Sequence, residues 1–260
     1  MVNKPMIGVA AVVLAVGVGV AYYFHGRSAL PTSEPTAVPP PAAGGEPPIE
    51  HPVPGSASSQ SAPLPPLNAS DLAMKDALSA LVGANAMQYV VPEDIVRHVV
   101  VTIDNLPRQK APAAKRPTVA VQGSFLVEGD ELHATLDPKN FARYDPMVNV
   151  VRQLDMKRVA DSYFHFYPLF QSSYQNLGYP NGYFNDRLVQ VIDSLLATPE
   201  LAGPIELSRP NVLYTFADPK LEALPAGEKL LLRMGPDNAA VVKGKLKELR
   251  AIITAAPPKH

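Results

Sequence analysis

The chain has 260 residues and no cysteine, which excludes disulfides, thiolate catalysis and Cys-ligated zinc or iron–sulfur centres. Its charge is balanced, 23 Lys+Arg against 24 Asp+Glu. With Lys4, Arg27, Glu34, Glu46 and Glu50 set aside, 21 of each remain from residue 68 onward, so the basic footprint of a nucleic-acid binder is absent.

The N-terminal residues 1–4 are short and carry Lys4. Pro5 to Phe24, "PMIGVAAVVLAVGVGVAYYF", follow without a charge. Twenty residues at 1.5 Å each make a helix of about 30 Å, the thickness of a bilayer's hydrocarbon layer. Tyr22 and Tyr23 stand where an interfacial aromatic belt belongs. A cleaved signal peptide is the rival reading. Its best exit, Arg27-Ser28-Ala29, puts Arg where a small residue is needed, so residues 5–24 are read as an uncleaved transmembrane helix. Beyond Arg27 no Lys or Arg occurs until Lys75. The positive-inside rule then places the N-terminus in the cytoplasm and the remainder outside.

Residues 28–67 hold twelve of the 29 prolines, with Ala, Gly and Ser filling much of the rest. Such a composition buries too little apolar surface to offset chain entropy, and predicts a disordered linker of polyproline II character. Forty residues reach roughly 120 Å fully extended.

Residues 68–255 are predicted to form one globular, mostly helical domain with a small antiparallel β component, an α+β fold. "NASDLAMKDALSALVG" reads as a helix capped by Asn68 or Ser70, with Leu72, Ala73, Leu78, Leu81 and Val82 near one face and Gly83 as its stop. "VPEDIVRHVVVTIDNLP" carries Pro92, Glu93 and Asp94 as first-turn residues. Its valines leave helix and strand both open. Arg108, Lys110, Lys115 and Arg116 mark a solvated basic loop, and residues 125–136 a hairpin around Glu128-Gly129-Asp130. Asp137-Pro138, Asp145-Pro146 and Asp218-Pro219 each read as N-cap plus N1. "DMKRVADSYFHFYPLFQSSYQNLG" is a long helix kinked at Pro168, with Val159, Tyr163, Phe166, Phe170 and Leu177 inward. In the helix after "GYPNGYF", Phe184, Leu188, Val191, Ile192 and Leu195 share a face. One or two short strands flank Arg209-Pro210, and a short helix ends at Gly235. The last helix buries Val242, Leu246, Leu249 and Ile253 and exposes Lys243, Lys245, Lys247 and Arg250.

Known catalytic signatures are missing: the sequence has no G-x-S-x-G, H-E-x-x-H, P-loop or dinucleotide fingerprint. His98, His133 and His165 lack ligand spacing, so neither a metal nor a cofactor is expected. The best constellation is Tyr144-Asp145 with Tyr183, Asn185, Asp186 and Arg187. As a catalytic site, Arg187 would grip an anion, Asp186 or Asp145 would take a proton, and Tyr183 would complete the network. As structure, Asp186 would favour the helix dipole and Arg187 would pair with Asp145 or Asp161.

The strings "VVVTIDNLPR", "LDPKNFARYDP", "LFQSSYQNLGYPNGYFNDRLVQVIDSLLATP" and "YTFADPKLEALPAGEKLLLRMGPDNA" resemble the bacterial DUF3014 family, a domain of unknown function, over about residues 64 to 250. The resemblance implies a bacterial envelope protein with a membrane span, a proline-rich stretch and this domain. It transfers no activity, cofactor or residue role. The expectation is therefore a single-pass inner-membrane protein whose periplasmic domain binds or scaffolds an envelope protein or peptidoglycan. The alternative is an envelope enzyme acting, for instance, on wall glycan.

Overall fold

A computed structural model describes residues 48–53, 63–112, 115–130 and 133–255. The membrane helix expected over residues 5–24 and most of the linker lie outside them. Among the described residues, no helix is long and apolar enough to cross a membrane.

The mainly helical reading with small antiparallel sheets holds. A 3₁₀ turn at Leu67–Ala69 leads into α1 (Asp71–Val82), which ends at Gly83 with φ 80°. Met74, Ala77 and Leu78 form its buried face. Leu72, expected inward, is 71 % exposed. It lies two residues before Met74, about 160° round the helix from it, and so points to solvent even though it is apolar.

The valine run forms a helix, α2 (Ile95–Asn105). It starts later than Pro92 because Asp94 adopts the left-handed conformation, φ 49°. Asp71, from the first turn of α1, supplies the cap: its carboxylate accepts the Asp94 and Ile95 N–H groups, both at 2.9 Å. Ile95, Val96, Val99, Val100 and Ile103 are buried. Packing, rather than β propensity, decides this segment.

The hairpin pairs β1 (Val127–Glu128) with β2 (Thr135–Leu136), and a second pairs β3 (Leu207–Ser208) with β4 (Thr215–Phe216), both antiparallel. A bridge between Thr135 and Glu206 joins the two. Their inner side chains, Ala134, Leu136, Leu207 and Phe216, form a small second core with Leu232.

Asp137 caps a 3₁₀ turn (Pro138–Arg143) and Asp218 caps α6 (Pro219–Glu222), each accepting the N–H two residues on at 2.8 Å. Asp145 departs from that pattern. It is the first residue of α3 (Asp145–Arg152), capped at Tyr144, and its carboxylate accepts from Asn238 Nδ2 at 3.0 Å.

The long helix, α4 (Met156–Asn176), runs through Pro168, and Asp155 caps it. Its inward residues are as expected except Leu177, which lies past its end and is exposed. Next come α5 (Phe184–Leu196), α7 (Ala226–Arg233) and α8 (Pro236–Ile253). The apolar stripe of α8 packs against α3, α4, α5 and α7, while α2 lies on α4 and α5. The last helix's cations are not all solvated. Lys243 Nζ donates to the Thr198 carbonyl at 2.6 Å, Lys245 Nζ to that of Leu154 at 2.9 Å, and Arg250 pairs with Asp193. Long side chains reach helix-end carbonyls while laying their stems on apolar surface.

Candidate functional site

The first turn of α5 is assembled from several parts of the chain. Its N-cap residue, Tyr183, makes no side-chain cap. Gln171 of α4 substitutes: its Oε1 accepts the Phe184 N–H at 2.9 Å and its Nε2 donates to the Gly182 carbonyl at 2.7 Å. Tyr167 Oη donates to the same Gln171 Oε1 at 2.9 Å.

The next three residues diverge, because successive helical side chains are rotated by about 100°. Asn185 points inward and is 1 % exposed. Its Oδ1 accepts from Tyr163 Oη at 2.9 Å, and its Nδ2 donates to the Ile253 carbonyl at 3.3 Å, where α8 ends, and to the His51 carbonyl at 2.8 Å. Asp186 points to the rim. Its two carboxylate oxygens accept the main-chain N–H groups of Glu50 at 3.2 Å and His51 at 2.7 Å. Residues 48–53, within the stretch read as linker, thus lie against the domain at Asn185 and Asp186.

Arg187 turns toward α2. Its Nε meets Asp104 Oδ1 at 3.1 Å, its Nη2 donates to the Asp104 carbonyl at 2.7 Å, and its Nη1 donates to Gln190 Oε1 at 2.6 Å. The expected partners were Asp145 and Asp161. Asp145 is joined to Asn238 instead, and Asp161 to Lys157 at 3.0 Å. Asp104 is the true partner, and it also accepts from Arg108 at 2.7 Å and Tyr179 Oη at 3.3 Å. Sequence reasoning passed over Asp104, yet a signal existed: it continues the Val96–Val100 stripe at i+4 and i+8, a carboxylate on an apolar face.

An open depression of about 420 Å³ lies beside this network, lined by Asp104, Tyr174, Tyr179, Tyr183, Asp186 and Arg187, with Pro48 and Glu50 at one side. Tyr183, Asp186 and Arg187 thus share a surface, and Asp145 does not line it. Burial pushes the Tyr167 and Tyr174 hydroxyls up to about 12 and that of Tyr163 well above 10. All three are held as proton donors near neutral pH and are poor bases. A larger cleft of about 560 Å³ opens between the hairpins and the start of α8, walled by Phe141, Leu201, Ile205, Leu232 and Ala239.

The three histidines stay apart. His98 is half-buried on α2, His133 pairs with Asp130, and His165 meets the Phe166 ring edge-on. Among the described residues, no group of three His, Asp or Glu side chains is placed to hold a metal ion.

A family model described as "Protein of unknown function (DUF3014)" matches residues 95–250, more than half of the chain. The chain belongs to the DUF3014 family. The match starts at α2, later than the residue 64 expected from the resemblance, so α1 and the seated segment 48–53 lie outside the matched residues. No curated protein and no solved structure matches.

Proposed function

We propose that this DUF3014 chain is a single-pass protein of the bacterial inner membrane whose periplasmic domain is a non-enzymatic binding or scaffolding module. The observation that carries the binding reading is the division of labour at α5. The charges that chemistry would need are bound into structure, Arg187 by Asp104, its carbonyl and Gln190. Meanwhile Asn185 and Asp186 hold a peptide main chain. A guanidinium with this many fixed partners has little left for a substrate anion. The charge-free run at residues 5–24 and the positive-inside asymmetry support the location.

Crosslinking in intact envelopes, followed by affinity capture of the full chain, should recover a reproducible envelope protein or wall polymer. Capture that is no different from an untagged control would overturn the reading. The enzyme alternative makes a different demand: Arg187→Lys would abolish the cellular phenotype at unchanged thermal stability. The Asp104 geometry instead predicts that phenotype and stability fall together.

A further inference from the structure

We propose that Asn185 and Asp186 form a peptide-docking site that reads the main chain of a proline-flanked segment bent at its two central residues, that residues 48–53 occupy it in cis, and that a partner peptide of the same kind displaces them. This deepens the binding reading above by naming the surface and the ligand chemistry.

Three features of the seat carry the inference. The hydrogen bonds that Asn185 and Asp186 make to the segment are all to main chain: the Glu50 and His51 N–H groups on one carboxylate and the His51 carbonyl on one amide. The side chains of Pro48, Ile49, Glu50 and Pro52 are exposed. Successive N–H groups converging on one anion at a bend recognise backbone shape, so another chain with the same bend fits equally well. Next, the seat does not depend on its occupant. Asn185 is fixed by Tyr163 Oη and the Ile253 carbonyl, and Asp186 stands on the first turn of a 13-residue helix. Lastly, Pro48 borders the tyrosine-lined depression, where Tyr174 and Tyr179 stack with centroids 4.6 Å apart. A longer ligand would lay its preceding prolines along those rings, as proline-rich peptides do in aromatic grooves.

The tether keeps the cis segment at an effective concentration on the order of millimolar at the seat. A free peptide must compete with it. Removing the cis donors should therefore unmask affinity.

The test uses the full chain in nanodiscs and a fluorescent peptide EPPIEHPVP, the sequence of residues 46–54. The double variant Glu50→Pro/His51→Pro deletes both cis donors without touching the domain. It should bind the peptide at least about tenfold more tightly than wild type. Adding Asp186→Asn should abolish that binding at unchanged melting temperature, and a peptide with proline at both central positions should not bind. In wild type, amide exchange at Glu50 and His51 should be slowed, and Asp186→Asn should release it. Absence of saturable binding to the double variant, or binding indifferent to Asp186→Asn, overturns the docking site. Unprotected amides in wild type overturn the cis occupancy. A partner recovered from envelopes by an Asp186→Asn chain as well as by wild type would keep the binding module and remove this surface from it.

Discussion

Three consecutive residues, Asn185, Asp186 and Arg187, each serve a different neighbour: the end of α8, the segment 48–53, and the end of α2. The most consequential side chain is Asp104, on which Arg187, Arg108 and Tyr179 converge, 5 % exposed against an 18 % exposed Arg187. Deleting one member of a buried pair leaves the other charge uncompensated and costs about 3–5 kcal/mol. Arg187 keeps some solvent and its bond to the Asp104 carbonyl, so Asp104→Ala should sit at the low end, about 3 kcal/mol in urea denaturation. A loss under about 1 kcal/mol would show that solvent already supports Arg187.

His98 gives a pH signature at the same scale. Burial lowers its pKa from 6.5, and its buried Nδ1 finds no hydrogen-bond partner among the described residues. Above pH 6.5 the ring is neutral in both states and the fold carries no penalty. As pH falls below 6.5 the unfolded chain takes the proton first, so stability declines, levelling off once pH is below the folded value. In His98→Phe the part of the acid-side slope due to this ring should vanish. Melting curves from pH 7.5 to 5 that are parallel for the two proteins would contradict the assignment.

At the scale of elements, several helix ends here are closed by other elements as well as by their own residues. Asp71 on α1 caps α2. The far end of α2 is closed by Arg187 on the Asp104 carbonyl and by α7, whose Ala226 and Gly227 N–H groups donate to the Arg108 and Leu106 carbonyls at 2.7 and 3.0 Å. Glycine keeps the approach close: a Cβ on Gly227 would lie 2.7 Å from Leu195 Cδ2, so that side chain would have to shift. Each cap joins two helices, so it couples their stabilities. Asp71→Ala should cost about 1–2 kcal/mol, the range of a lost N-cap. It should also speed amide exchange in the first turn of α2 rather than within α1. Exchange raised in α1 alone would mean that the cap acts locally.

For the whole molecule, one large core under α2, α4, α5 and α8 carries the fold, and the two hairpins add a small core at the edge. The proposal of a membrane tether belongs at this scale. The full chain should stay in a carbonate-washed membrane pellet, and a reporter fused at its C-terminus should be active outside the cytoplasm. Chain released into the high-speed supernatant would remove the tether. Much of the helical frame was legible in the sequence, because amphipathic spacing is a local property. Phe184, Leu188, Val191, Ile192 and Leu195 must share a face wherever the helix is placed, and Asp137 and Asp218 next to proline cap their turns without help. Partners of polar residues were not legible. Sequence placed Arg187 on a helix and offered Asp145 or Asp161 as its partner, but could not find Asp104, since that choice depends on which helix packs alongside. Nor could composition find the seat for residues 48–53: a proline-rich stretch has no core of its own, and only the folded surface, by bringing Asn185 and Asp186 together, offers its backbone the hydrogen bonds that water otherwise makes.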